Sequence, residues 1–164
     1  MSPNLKIGLA GEYLAASHLA RYFDQIYPAA SGSRFDFLCQ SDIQVKVQVK
    51  TSDSIFAHHG SDWVRWDIKK KKSGTKKYRV YDGNEVDIFA FVYLSRDKVI
   101  FQPNYKLGKT FQKKVEYIKK VETQLTLSQS VEVIRDIKNA INENIVQTGN
   151  RQGRDSLHQR GWLV

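Results

Sequence analysis

Alternating apolar and polar residues mark two neighbouring segments, 34–39 and 43–50, as strands that each bury one face. Their apolar positions are Phe35, Phe37, Cys39, Val45, Val47 and Val49. Side chains alternate between the two faces of a strand, so pairing the apolar rows as an antiparallel hairpin aligns odd positions with odd ones. Asp36 must then share a surface with Gln48 and Lys50. The pattern therefore predicts a carboxylate, an amide and an ammonium group together beside a turn.

The rest of the first two thirds of the chain reads as one helix and several strands. Ser2-Pro3 is a helix start, and apolar residues at three- and four-residue spacing continue that helix to about Phe23. The run at 86–94 is almost continuously apolar, as in a central strand covered on both faces. A tight connection at 95–97 predicts that it pairs antiparallel with the next strand. The other predicted strands are 25–28, 63–68, 78–81 and 98–103.

Helical periodicity is predicted to replace the strand pattern from Lys109 onwards. One stripe comprises Phe111, Val115, Ile118, Val121 and Leu125. A second helix, capped by Ser128 or Ser130, carries a cleaner stripe of Val131, Ile134, Ile137, Ile141 and Ile145. These stripes fit either a core or a subunit interface. We predict one domain over 1–164, with a core at 1–105 that includes a basic hairpin at 63–81, a helical region at 106–149 and a basic tail at 150–164.

Charge and cysteine content narrow the class of partner and compartment. The chain has 26 basic and 17 acidic side chains, a formal charge of +9, which favours a polyanion such as nucleic acid. Six lysines surround Ser-Gly-Thr at 69–77, which predicts an exposed hairpin tip. A single cysteine excludes an intramolecular disulfide, and no apolar run reaches bilayer length. We therefore expect a cytoplasmic protein without a membrane partner.

The polar group beside the predicted hairpin has the chemistry of a metal-dependent phosphodiester-cleaving site. A divalent cation neutralises phosphate and lowers the pKa of the attacking water, and Mg²⁺ needs only one or two carboxylates and a carbonyl. Asp36 supplies one carboxylate, and Glu12 on the first helix supplies a second. Lys50 can orient water or offset transition-state charge. Taken singly, each of these residues is better explained as a solvated surface residue, whereas their spacing, shared face and the preceding helix together favour a functional site. Likewise, His58 and His59 read as loop residues rather than metal ligands.

At these positions the sequence resembles the PD-(D/E)XK nuclease superfamily. That pattern has an acid on the first helix, an Asp opening the second strand and (D/E)-X-K on the third. Here those places hold Glu12, Phe35-Asp36 and Gln48-Val49-Lys50. Phe35 replaces proline and Gln48 replaces the acid. The variant Gln-X-Lys resembles that of homing endonucleases encoded in bacterial group I introns.

The resemblance implies a restriction-endonuclease-like α/β core, with a mixed central sheet flanked by helices, an added basic β-hairpin and C-terminal helices. It implies a site-specific double-strand DNA endonuclease with Glu12, Asp36, Gln48 and Lys50 as catalytic residues. Glu12, Asp36 and the Val49 carbonyl would hold Mg²⁺, with Mn²⁺ as a substitute. It further implies a homo-oligomer, a tetramer by resemblance and at least a dimer. Expected DNA contacts are Arg34, Lys46, Ser52, Arg65, Lys69, Lys70, Lys71, Lys72, Lys76, Lys77, Arg79, Arg151, Arg154 and Arg160.

Two other functions are compatible with the same residues. A structure-specific nuclease, such as a Holliday-junction resolvase, uses a similar site on a flat basic face. A DNA-binding module with a catalytically dead site is the third alternative, because Gln48 brings no negative charge.

Overall fold

A computed structural model describes residues 2–71, 78–79 and 81–159 of the chain, with side chains placed for 2–69 and 81–145. The helices are α1 (Pro3–Leu19), α2 (Val115–Lys120) and α3 (Thr123–Gln159). The strands are β1 (Gln25–Pro28), β2 (Phe37–Gln40), β3 (Gln44–Ser52), β4 (Ile55–His58), β5 (Ser61–Asp67), β6 (Lys70–Lys71), β7 (Tyr78–Arg79), β8 (Ile88–Tyr93), β9 (Lys98–Pro103) and β10 (Thr110–Lys114).

A mixed five-stranded sheet in the order β1-β2-β3-β8-β9 forms the centre of the fold. The predicted β2–β3 hairpin is confirmed: it is antiparallel, and its register pairs Phe37 with Val47 and Cys39 with Val45. β8 runs parallel to β3 and antiparallel to β9, and all six of its residues are buried, as predicted. A smaller sheet has the order β10-β5-β4, and β6 pairs with β7.

Different elements cover the two faces of the central sheet. On one face, Val45, Val47 and Val49 share a core with α1 and the start of α3. The other face carries Phe89 and Phe91, which pack against the smaller sheet and α2. The indole nitrogen of Trp66 ties the two sheets together by donating a hydrogen bond of 2.8 Å to the Val92 carbonyl. The expected mixed α/β architecture is therefore present, but a second sheet takes much of the place expected for helices.

Several predicted boundaries were wrong. The first helix ends at Leu19 rather than near Phe23, and β2 begins at Phe37, so Asp36 lies just before the strand. The segment 110–114 is a strand, because its pairing with β5 turns Phe111 inward onto Trp66. α3 begins at Thr123, before the predicted serine caps, and its backbone continues through the predicted tail to Gln159.

The basic hairpin differs from the one predicted. Among the described residues of 63–81, Lys70–Lys71 pairs with Tyr78–Arg79, whereas β5 belongs to the smaller sheet. β5 does so because Val64, Trp66 and Ile68 are buried against the core. The lysines at 72, 76 and 77 lie outside the described residues. Within the described parts of the chain, no helix is both long and apolar enough to traverse a lipid bilayer.

Candidate active site

The candidate site lies where β2 separates from β3. Register pairs end at Phe37 and Val47, whereas β3 continues to Ser52. The Asp36 backbone amide donates a hydrogen bond of 2.8 Å to the Val47 carbonyl. Beyond this bond β2 no longer pairs with β3, and the Asp36 side chain accepts a hydrogen bond from the β3 backbone instead. Its Oδ2 accepts the Val49 amide at 2.7 Å. Asp36 is therefore fixed against the open edge of β3 by the backbone of the residue that lies between Gln48 and Lys50.

Gln48 bridges two oxygen atoms at this edge, Asp36 Oδ2 and the carbonyl oxygen of Val49. Its Nε2 donates to Asp36 Oδ2 and also, over 3.1 Å, to the Val49 carbonyl. Gln48 is only 8% exposed, and its register partner on β8 is Phe89. Asp36 and Gln48 therefore lie next to each other, as predicted. The amide nitrogen, the positive end of the Gln48 side-chain dipole, occupies the position between a carboxylate and a carbonyl.

Lys50 is held by an aromatic residue that the sequence pattern did not single out. Its Nζ donates to the Tyr81 hydroxyl at 3.1 Å and lies 5.0 Å from the centre of that ring. Burial lowers the pKa of Lys50, and the negative charges of Asp36 and Asp67 oppose that shift. Tyr81 is buried and packs edge-on against Phe89. No spacing rule joins Tyr81 to Lys50, because the two residues meet only through the fold.

Glu12 reaches the same opening from α1. The helix lies so close to β3 at Gly11 that a Cβ there would stand 1.9 Å from the Thr51 hydroxyl oxygen. Glu12, the next residue, is half-buried and lines a cleft of about 310 Å³ with Val49, Lys50 and Ser52 among its walls. Burial raises the pKa of Glu12, and the negative charge of Asp36 raises it further. The two carboxylates are therefore electrostatically coupled.

The donor set fits a hard divalent cation. It consists of the coupled carboxylates of Glu12 and Asp36 and the Val49 carbonyl, all oxygen ligands of the kind that Mg²⁺ prefers. The described residues contain no group of three or more His, Cys, Asp or Glu side chains that could hold a metal. A cation here would thus rely on two carboxylates with carbonyl and water oxygens. His59 lies in the turn between β4 and β5, as expected of a loop residue, whereas His58 is the last residue of β4 and pairs with Ser61, so the loop prediction was wrong for it.

The predicted DNA contacts divide into those beside the site and those away from it. Ser52 and Arg65 line a second cleft of about 540 Å³, which also contains Lys50. Arg34 instead pairs with Glu85 at 3.4 Å, and Lys46 donates to the Asn84 carbonyl at 2.9 Å. Lys69 lies just before β6. For Lys70, Lys71, Arg79, Arg151 and Arg154 only the backbone is described, and Lys72, Lys76, Lys77 and Arg160 lie outside the described residues.

Comparison with known proteins identifies a similar fold. No family model matches the sequence. No curated protein matches it either. Among solved structures, the fold is similar to that of a bacterial homing endonuclease, I-Ssp6803I, with a TM-score of 0.60 and 17% sequence identity. The match covers 85% of this chain and 97% of that one. At that identity the likeness establishes a shared fold, so the function must be argued from the site.

Proposed function

We propose that the protein is a metal-dependent DNA endonuclease of the PD-(D/E)XK type that makes double-strand cuts at specific sites. The observation that carries the proposal is the convergence of Glu12, Asp36, Gln48 and Lys50 on the opening between β2 and β3. The likeness to a structure described as a homing endonuclease supports the same class. Net charge of +9 favours a polyanionic substrate.

Glu12, Asp36 and the Val49 carbonyl would hold the cation, Mg²⁺ or Mn²⁺ in its place. When bound, the cation neutralises phosphate charge and makes water a better nucleophile. Hydrogen bonds within the chain order these oxygen atoms. Asp36 holds the Val49 amide, which fixes the direction of the Val49 carbonyl on the same strand edge. Gln48 bridges both oxygens, and it would have to yield those hydrogen bonds to a cation or share them with it.

Lys50 supplies a positive charge beside the phosphate that reacts. Its ammonium group is fixed by Tyr81 and lies at the junction of the two clefts, both of which it lines. A cation on a partly buried, pre-positioned side chain stabilises negative charge that develops on the phosphate more strongly than a solvated one. In this proposal Lys50 orients the attacking water or contacts the phosphate, and Asp36 keeps a counter-charge beside it.

DNA contact extends from this opening. Ser52 would meet a phosphate next to the cut and Arg65 would contact the adjoining DNA, because both residues line the same cleft as Lys50. The lysines of 69–77 would contribute affinity by releasing counterions, with no sequence information. Arg34 and Lys46 have partners in the protein and would have to exchange them for phosphate.

Double-strand cleavage requires at least two copies of the site, so we propose a homo-oligomer, a dimer or, as the resemblance implies, a tetramer. The isoleucine stripe on α3 divides in the structure. Ile134 is buried in the core and Ile137 packs against it, whereas Ile141 and Ile145 are 52% and 62% exposed. Ile141→Glu combined with Ile145→Glu should therefore dissociate the assembly without unfolding the protein. If sedimentation shows that the double variant assembles to the same mass as wild type, this stripe is not the subunit interface.

One cleavage experiment separates the proposed function from its alternatives. Purified protein is incubated with Mg²⁺ and a mixture of plasmid, randomised linear duplex and four-way junction DNA, with EDTA as the control. A site-specific endonuclease cuts only those randomised linear duplexes that carry its site, so the sequenced cut ends share one motif. Preferential cutting of junctions would identify a structure-specific nuclease instead. Binding without any cleavage in Mg²⁺ or Mn²⁺ would identify a DNA-binding module.

A further inference from the structure

The smaller sheet presents a polar and aromatic face away from the core. Over 64–67, β5 alternates: Val64 and Trp66 are buried, while Arg65 and Asp67 are exposed. Cross-strand partners share a face, and β10 repeats the alternation, whereas β4 departs from it because Ile55 is exposed opposite buried Val64. Gln112 pairs with Arg65, and Trp63 pairs with Phe56 on one side and Lys114 on the other. We call the surface formed by Phe56, Trp63, Arg65, Asp67, Gln112 and Lys114 the outer face.

Aromatic rings hold the cations of the outer face in place. The Arg65 guanidinium lies 5.6 Å from the centre of the Phe56 ring, and the Lys114 ammonium lies 5.6 Å from that of Trp63. Trp63 is itself fixed, because its indole nitrogen donates to the His58 carbonyl at 3.2 Å. Cations positioned on rings lose less freedom on binding than mobile surface lysines. The outer face is therefore organised before any ligand arrives.

The chemistry of the outer face differs from that of a phosphate-binding surface. Phosphate-binding surfaces are dominated by cations, as in the segment 69–77. Here an exposed carboxylate, Asp67, and an exposed amide, Gln112, stand beside Arg65 and Lys114. Base edges in the DNA major groove display both donors and acceptors: arginine suits guanine, glutamine suits adenine, and carboxylates accept from cytosine. A mixed set of donors and acceptors on a rigid sheet suits reading base edges.

The outer face is continuous with the candidate active site. The cleft of about 540 Å³ has walls from both, since Lys50 and Ser52 line it together with Phe56, Arg65 and Asp67. DNA seated with a phosphate near Lys50 would thus have its neighbouring base pairs beside this sheet. Three strands at the usual spacing span roughly 10 Å, and the major groove is roughly 12 Å wide and accepts β-structure.

We propose that the outer face is a base-reading surface that enters the major groove of duplex DNA beside the cleavage site, with Gln112 and Arg65 as its main specificity residues. This inference rests on the proposed endonuclease function. In this proposal the lysines of 69–77 supply DNA affinity, and the smaller sheet supplies sequence preference.

The test is a binding selection from randomised duplex DNA in EDTA, so that cleavage plays no part. Wild type should enrich a motif. Gln112→Ala and Arg65→Ala should each lose preference at different positions of it, by about tenfold or more, with the remaining positions unchanged. Gln112→Glu should shift the preferred base at its position towards cytosine, because a carboxylate only accepts hydrogen bonds. That change of preference requires a folded protein.

Gln25→Ala is the matched control, because Gln25 is an exposed strand residue on β1, at the far edge of the central sheet. Its motif should equal that of wild type. If the Gln112 and Arg65 variants enrich the wild-type motif, or wild type enriches none, the outer face does not read bases. Plasmid cleavage in Mg²⁺ is measured separately. Cleavage with an unchanged motif would leave the endonuclease in place and remove only this inference.

Discussion

The close approach of α1 to β3 at Gly11 places Glu12 at the candidate site, and Gly11→Ala tests that dependence. The added Cβ would lie 1.9 Å from the Thr51 hydroxyl oxygen and 2.8 Å from both Thr51 Cβ and Cγ2. Ordinary contact needs about 3.5 Å. Rotating the Thr51 side chain cannot relieve the contact with its Cβ, so the helix must move by roughly an ångström.

Gly8→Ala provides the reference, because a methyl group there meets nothing within 4 Å. Both substitutions gain about 1 kcal/mol of helix propensity, so that gain cancels when the two variants are compared. What remains is overpacking at Gly11, which costs about 1–3 kcal/mol. For a domain of this size that corresponds to a melting temperature several degrees below that of Gly8→Ala, at about 2–4 °C per kcal/mol.

Denaturant unfolding and single-turnover cleavage measure the two consequences separately. Displacing a catalytic group by about 1 Å costs on the order of 100-fold in rate, so Gly11→Ala should cleave slowly even where it is fully folded. Thr51→Ala removes two of the three clashing atoms and should restore part of the stability of Gly11→Ala. If Gly11→Ala is as stable as Gly8→Ala and cleaves at the wild-type rate, the helix does not position Glu12 in the way described.

Three further predictions concern single side chains. Tyr81→Phe keeps the ring beside Lys50 but removes the hydroxyl that accepts its hydrogen bond, so the single-turnover rate should fall about tenfold with the DNA dissociation constant unchanged; an unchanged rate would remove Tyr81 as a positioning residue. Gln48→Glu should retain more cleavage than Gln48→Leu, because Gln and Glu can each turn an oxygen towards a cation and Leu cannot, and equal rates for Leu and wild type would show that this side chain has no part in catalysis. Burial raises the pKa of Cys39 to about 12 from about 9, so the unfolded chain binds fewer protons between those values. Unfolding free energy should therefore fall as pH rises from about 9 to about 12, by about 1.4 kcal/mol per pH unit, and Cys39→Ala should lack that contribution.

The strands that carry the site were predictable because alternation leaves little choice of register. A shift of one residue in β3 would expose Val45, Val47 and Val49, and the same shift in β2 would expose Phe37 and Cys39, so the apolar rows dictate the pairing and bring Asp36 towards Gln48. β8 was predictable for a related reason, since a strand buried on both faces must be apolar throughout.

The wrong or missing predictions concern residues for which the local sequence pattern and tertiary packing favour different structures. In 110–114 the residues fit a helical stripe, but pairing with β5 places Phe111 on Trp66 and overrides it. Tyr81 and Lys50 are distant in sequence, so their contact depends on how β8 returns beside β3. The outer face likewise requires the register of three strands, and alternation in β5 alone could not show which residues join it.

The proposed active site requires that Asp36 is needed for cleavage and dispensable for DNA binding. The decisive measurement is the single-turnover cleavage rate of Asp36→Asn at saturating Mg²⁺, with DNA affinity and unfolding free energy measured on the same preparation. Asn lacks the charge but keeps one oxygen acceptor, and a single oxygen, Asp36 Oδ2, accepts from both Gln48 Nε2 and the Val49 amide. We predict that cleavage is lost while the variant stays folded and binds DNA. A folded Asp36→Asn protein that cleaves at nearly the wild-type rate would contradict the proposed active site.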